Sequence, residues 1–209
     1  MKTPIIALIL PTGDMVHTDF ALSLANVCGY LMAKGINFFI VNPRSSSIDK
    51  SRNNGVKVAL KSVLVTHFCF IDSDQMFPLN VVTELLERDR EIVSVASVTR
   101  QHPVHFTAKD LAGNYIDGLG KGLISVKSNG LSLMLIKRIV FEELCFPWFI
   151  SSYQDNLFIS EDEHFCHAAH NKGFDILVDC DLSKDIRHIG QHRFGPGDIY
   201  TRSEKNVQN

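Results

Sequence analysis

Residues 63–78, VLVTHFCFIDSDQMFP, carry an apolar run that stops abruptly at Asp72-Ser73-Asp74. A run of Val, Leu, Phe and Ile bounded by polar residues reads as a strand buried on both faces. A strand of that kind belongs inside an open α/β sheet, where ligands bind in the crevice outside the carboxyl ends of the strands. Asp72 and Asp74 stand at that end. Two Asp with one small residue between them can reach a single hard cation from one turn, and oxygen ligands suit Mg²⁺ or Mn²⁺. A turn that merely closes a strand is also rich in Asp, so the pair needs support from the rest of the chain.

Composition narrows the field. The chain has 209 residues, 45% hydrophobic and 21% charged, enough to bury a proper core in one large domain. A net charge of −2 gives no electrostatic reason to expect nucleic acid or an anionic membrane surface. Cys28, Cys69, Cys145, Cys166 and Cys180 are odd in number and scattered, which predicts reduced thiols, three of them in apolar runs. The opening apolar run, residues 5–10, is too short for a signal segment and reads as a first strand. No stretch approaches the ~20 apolar residues of a membrane span. The expectation is a soluble, cytoplasmic-type chain.

Strand-like runs recur at residues 5–10, 37–42, 63–71, 92–98, 131–136 and 174–178. Helical patterns lie between several of them. Thr18 or Asp19 can cap a helix that Gly35 closes, Ser51 can cap a second, and Pro78 suits the first position of a third. This alternation through the first ~100 residues predicts right-handed crossovers and a mostly parallel sheet. Between 101 and 129 the glycines Gly113, Gly118, Gly120 and Gly122 break any period, as in a loop-rich insertion with one hairpin. A short helix near 138–144 and a last helix from Glu161 follow, and residues 201–209 form a polar tail or a linker to further domains.

Several side chains outside the Asp pair could carry chemistry. Ser160 to Glu163 has the pattern of a capping box, and an acid there can also point into the crevice toward a hydroxyl. His164, His167 and His170 fall three apart, a spacing that drifts around a helix, so a zinc site is not inferred. His188 follows the last strand and can return to the edge holding Asp74, giving a mixed O/N set that suits Mn²⁺. Arg44 and Arg52, beyond the second strand and at a helix start, can cradle a base, ribose or diphosphate. The Gly-hinged loop 190–197, with His192 and Arg193, has the composition of a lid.

In order and spacing these pieces resemble the GT-A fold glycosyltransferases: Pro11-Thr12-Gly13-Asp14, Ser51-Arg52-Asn53, Asp72-Ser73-Asp74, Gly130, Pro147-Trp148-Phe149, Ser160-Glu161-Asp162 and His188-Ile189-Gly190. At finer grain the chain is similar to glycosyltransferase domains that open multidomain chlorella virus proteins and build capsid glycans. The resemblance implies an α/β, Rossmann-like GT-A domain over residues 1–200, with a mostly parallel mixed sheet of about six strands flanked by helices. Residues 1–100 would be the nucleotide-binding half and 101–200 the sugar and acceptor half. It implies transfer of a sugar from a UDP-sugar, of the UDP-glucose or UDP-rhamnose type, to a hydroxyl of a glycan or glycoprotein, with Mn²⁺ and with Mg²⁺ as a substitute. Asp74 and His188 would bind the metal, with Asp72 on the ribose or the metal. Thr12, Gly13, Asp14, Arg44, Arg52, Asn53 and Ser73 would line the nucleotide site. Gly130, Trp148 and Arg193 would face sugar and acceptor, and Glu161, Asp162 and Asp74 would be catalytic.

Two enzyme classes and one non-enzyme compete with that reading. A nucleotidyltransferase would carry a Gly-rich signature with a base near the first strand, where Pro11-Thr12-Gly13-Asp14 has one glycine and no base. A haloacid-type phosphatase would need a pair of Asp there. A nucleotide-sugar-binding module would bind the donor and fail to turn it over.

Overall fold

The computed structural model describes residues 3–100 and 103–190. The expected lid beyond Gly190, with Arg193, and the 201–209 tail lie outside the described residues. The chain begins with β1 (Ile5–Ile9), α1 (Thr18–Ala33), β2 (Asn37–Val41), α2 (Ile48–Leu60) and β3 (His67–Ile71). Then come β4 (Gln75–Met76), α3 (Val81–Glu87), β5 (Ile92–Ser94), β6 (Leu123–Val126), β7 (Leu133–Lys137) and α4 (Arg138–Glu143). The last elements are β8 (Ser152–Gln154), β9 (Leu157–Ile159), α5 (Glu161–Asn171), β10 (Ile176–Asp179), α6 (Cys180–Ser183) and β11 (Arg187–His188).

Seven strands form one sheet in the order β2-β1-β3-β7-β5-β10-β6. Parallel pairing joins β2, β1 and β3, and joins β5 to β10. β7 runs against both β3 and β5, and β6 runs against β10. The sheet is therefore mixed, with β2, β1, β3, β5 and β10 pointing one way. It has one strand more than the sequence suggested. The extra strand, β6, lies in the glycine-punctuated segment, where Gly122 at φ 66° turns the chain into it.

Residues on β3 alternate between two cores. Phe68 and Phe70 join Ala7, Ile9, Met134 and Ile136 on one face, while Cys69 and Ile71 join Ile6, Leu8, Leu133 and Leu135 on the other. The first core holds an aromatic knot around Phe141, whose ring centroid lies 4.8 Å from Phe68, 5.6 Å from Trp148 and 5.8 Å from Phe165. The second is closed by α1, which buries Phe20, Val27 and Leu31 along one stripe. Among the described residues no helix is long and apolar enough to cross a membrane. All five cysteines are free, with Cys69, Cys166 and Cys180 buried.

Helix starts differ from expectation in three places. Ser47 rather than Ser51 stands at the cap of α2, and Ser51 is buried inside the helix. The helix thus begins a turn earlier than expected, with Val56 and Ala59 fully buried along it. Pro78 precedes α3 instead of opening it, its carbonyl accepting from Val81 N at 3.2 Å. Ser160 stands at the N-cap position of α5, but its hydroxyl donates to Asp162 instead of capping the backbone: Glu163 turns to Lys109 Nζ at 3.0 Å, and Asp162 Oδ1 accepts from Glu163 N at 2.8 Å.

The approach of α2 to β1 sets where Arg52 stands. It depends on Gly55, where a Cβ would lie 2.5 Å from Ile9 Cγ2 and 3.3 Å from Pro43 Cγ. Replacing a helical glycine by alanine ordinarily stabilises by up to ~1 kcal/mol. Here overpacking of about 1–3 kcal/mol opposes that gain. Gly55→Ala should therefore lower the urea unfolding free energy on the order of 1 kcal/mol. A stabilised variant would show that helix and strand separate freely.

Candidate active site

Because β1, β3 and β5 are parallel, their carboxyl ends share one edge, and the reversed β7 brings its amino end to the same edge. β3 delivers Asp72-Ser73-Asp74 there. The backbone N–H of Asp72 donates to Ser132 O at 2.9 Å, just ahead of β7. The short ribbon of β4 and β11 pairs His188 with Gln75, and Ile189 N donates to Asp74 O at 2.7 Å. A residue 114 positions downstream of Asp74 by numbering is thereby held beside it: His188 Nε2 lies 3.3 Å from Asp74 Oδ2.

The two aspartates have different partners. Asp72 receives Arg52 Nη2 on both oxygens at 3.1 Å, and Arg52 Nη1 donates to Glu161 Oε1. The Arg52 side chain is 4% exposed, so this is a buried triad linking α2, β3 and α5. Burial pushes the Asp72 carboxyl above its ordinary value, only partly opposed by Arg52, and Asp74 and Asp162 add to the rise. Glu161 is raised for the same reasons. Burial alone would lower Arg52, yet Asp72, Glu161 and Asp162 hold it above its ordinary value.

Asp74 goes the other way. Burial would raise it, but the hydrogen bond and charge of His188, the charge of Arg100 and Gln75 together hold it below the ordinary value. His188 is raised, first by Asp74 and against burial. Its Nδ1 lies 2.6 Å from Val98 O, so Nδ1–H donates to that carbonyl and Nε2 is the nitrogen presented to Asp74.

Asp74 and His188 fit a divalent cation. An octahedral ion with donors at ~2.1 Å separates neighbouring donors by about 3 Å, close to the 3.3 Å between Oδ2 and Nε2. One carboxylate oxygen with one imidazole nitrogen favours Mn²⁺ over Mg²⁺. Among the described residues no cluster of three or more His, Cys, Asp or Glu forms a full cage. That suits an ion which takes one or two protein ligands and completes its shell with substrate phosphates.

Beside this lies a pocket of about 200 Å³ lined by Thr107, Lys109, Tyr115, Asn129, Gly130 and Asp162, among others. A Cβ on Gly130 would sit 3.5 Å from Asp162 Oδ2 and from Thr107 Oγ1, so glycine keeps the pocket's wall thin. Thr12 accepts the Asn42 amide at 2.8 Å at the end of β1. Gly13 leads to Asp14, which meets Arg44 at 3.4 Å in the open, and Ser73 lies between the two aspartates.

Some expected residues face elsewhere. The Trp148 indole is in the core, 7% exposed, with Nε1 donating to Leu144 O at 3.2 Å; it does not face the pocket. The family resemblance implied otherwise, but the aromatic knot around Phe141 takes the ring. Glu161 turns inward to Arg52, leaving Asp162 on the pocket. Asn53 uses its amide on Asp49 O, Phe149 O and the N–H groups of Trp148 and Phe149, which fixes that segment. The imidazoles of His164 and His170 go to Trp148 O and Val126 O, and His167 pairs loosely with Glu163. Sequence reasoning missed Arg100, Lys109 and Tyr115, which lie in or beside the segment without a period. Only their charge and aromaticity could have marked them.

No protein-family model and no curated protein matches the sequence. Solved structures do. A197 from STIV matches at TM-score 0.59 and 14% identity, covering 92% of this chain and 98% of that one. The catalytic domain of Drosophila β1,4-galactosyltransferase 7, solved with xylobiose, matches at TM-score 0.56 and 14% identity, covering 95% and 79%. The chain has the GT-A glycosyltransferase fold. A mutant of the Drosophila enzyme, solved with manganese, UDP-Gal and xylobiose, matches at TM-score 0.55. A glycosyltransferase involved in the glycosylation of the major capsid of PBCV-1 matches at TM-score 0.47 and 13% identity, covering 97% and 99%.

The Asp74–His188 pair has a testable pH signature in metal-free buffer. Asp74 is held below 3.8, so its contribution is present above that value and lost as acid protonates it. His188 is held above 6.5, so its contribution is complete below that value and lost as the imidazole deprotonates at higher pH. The stability difference between wild type and His188→Ala should be largest between pH 3.8 and 6.5 and shrink on both sides. Urea midpoints across pH, with chelator present, measure it; a flat difference would contradict the pairing.

Proposed function

We propose that this chain is a metal-dependent glycosyltransferase that moves a sugar from a UDP-sugar to a hydroxyl of a glycan acceptor. The observation that carries the reading is the Asp74–His188 pair, 3.3 Å apart at the ligand-binding edge of a GT-A sheet, beside a pocket lined by Asp162. The Drosophila structure with manganese and UDP-Gal supports the choice of cation and donor by likeness of fold.

Asp74 and His188 would hold Mn²⁺, which neutralises the charge that develops on the departing diphosphate. Thr12, Asp14 and Arg44, at the ends of β1 and β2, are positioned for the nucleoside. Arg52 acts one step back by locking Asp72 and Glu161, so that β3 and α5 keep a fixed separation. Asp162, whose Oδ1 accepts from Ser160 Oγ and Glu163 N, would orient the acceptor hydroxyl. Its charge also favours an oxocarbenium-like sugar. The finer readings, a hexose of the glucose or rhamnose type and a viral capsid glycan as acceptor, rest on the sequence resemblance.

Calorimetry with UDP and Mn²⁺ tests the proposal. Asp74→Ala should weaken Mn²⁺-dependent UDP binding at least about tenfold, the loss of one charge-assisted contact. Asp162→Asn should leave that affinity alone and lower sugar transfer. Equal UDP affinity with and without Mn²⁺ in the wild type would overturn the reading.

A further inference from the structure

Resting on the donor reading above, we propose that Arg100 competes with the divalent cation for Asp74 and, once displaced, binds the donor's diphosphate. Asp74 Oδ2 is shared: Arg100 Nη1 lies 3.0 Å from it and His188 Nε2 lies 3.3 Å from it. A guanidinium and a dication cannot both sit on that oxygen without strong repulsion at such range. When the cation takes Asp74, the guanidinium has to move.

The fold makes that movement cheap for Arg100 and costly for Arg52. Arg100 is 51% exposed and Arg52 is 4% exposed with two carboxylates on its fork. Arg100 follows β5 on a ribbon whose base is fixed by Thr99 N donating to His105 O and Thr107 N donating to Ser97 O, both at 2.9 Å. Two residues before it, Val98 O orients His188 through Nδ1 at 2.6 Å. One segment therefore fixes the imidazole and carries the mobile cation. The Arg100 stem lies over Gly190, where a Cβ would be 3.6 Å from its Cγ and Cδ.

The destination follows from charge. Both oxygens of Asp72 and Oε1 of Glu161 already accept from Arg52, so a second planar fork finds no free pair of oxygens on either carboxylate. The diphosphate arrives with the metal, carries the anionic oxygens that a planar fork grips in pairs, and must sit against the same cation. Arg100 would then hold the metal site closed to a bare ion and open it to an ion that comes with its nucleotide. It would also place a second positive charge on the leaving group.

Titration of the full chain with Mn²⁺ alone, then with UDP at saturating Mn²⁺, tests this in wild type and Arg100→Ala. Removing a half-exposed ion pair should tighten Mn²⁺ alone by about three- to fivefold. The same variant should bind UDP with Mn²⁺ at least about tenfold more weakly, and free uridine unchanged. Arg100→Lys should lie between the two on UDP, since it keeps the charge and loses the fork. Mn²⁺ affinity unchanged or weakened in Arg100→Ala, or UDP affinity unchanged, overturns the proposal. If wild type binds UDP with Mn²⁺ and Arg100→Ala matches it, only the Arg100 role fails. If wild type binds neither ligand and Arg100→Ala does no better, the donor reading fails with it.

Discussion

The guanidinium of Arg52 lies between Asp72, at the end of β3, and Glu161, at the start of α5, and almost no solvent reaches it. Three elements that are distant in sequence meet at this one charge. Taking it out of water is expensive, and such a buried triad is weak evidence of net stability. Its Nε has no hydrogen-bond partner among the described residues, so the cost is not fully offset. What the triad supplies is position. Removing the arginine would leave a buried Glu161 and a quarter-exposed Asp72 without their cation, whereas shifting it would move the edge on which the candidate site stands.

With Asp72 and Glu161 committed to Arg52, the acids at this edge divide into two kinds. Those two are raised by burial and tied to the frame. Asp74 is no more exposed than Asp72, 24% against 26%, but it is flanked by His188 and Arg100 and is held below its ordinary value. What separates the two aspartates is therefore their partners: Asp72 carries a buried guanidinium, whereas Asp74 meets an imidazole oriented through Val98 O and a half-exposed Arg100.

The sequence carried the sheet well, because β1, β2, β3 and β7 are short apolar runs with turn residues at both ends. The closing of α1 was legible too, with Gly35 at φ 68° where the chain leaves the helix. The Asp74–His188 proximity followed from reasoning about which loops return to one edge. What could not be read was the difference between Asp72 and Asp74. They are identical in type and two positions apart, and only the tertiary placement of Arg52 separates them. Trp148 was placed by the family resemblance alone, and only the tertiary packing of Phe141 shows that its ring belongs to the core. β6 was hidden because its register comes from β10, downstream in the chain, and its own four residues are flanked by glycine and lysine.

The reversed strand sets what meets at this edge of the sheet. In a wholly parallel sheet, the strand next to β3 would present its carboxyl end here and its amino end on the far side. Because β7 runs against β3 and β5, residues 129–132 enter the crevice from its amino end, and Ser132 O receives Asp72 N. Asn129 then locks that entry, its amide donating to Ser94 Oγ at 2.9 Å and Val95 O at 2.8 Å, and its oxygen accepting from Thr107 at 3.1 Å. Gly130 follows, its backbone facing Asp162 on α5 and Thr107 across the pocket. Carboxyl-ended strands therefore bring the ionic groups, an amino-ended strand brings a bare backbone wall, and the two meet across the width of one strand.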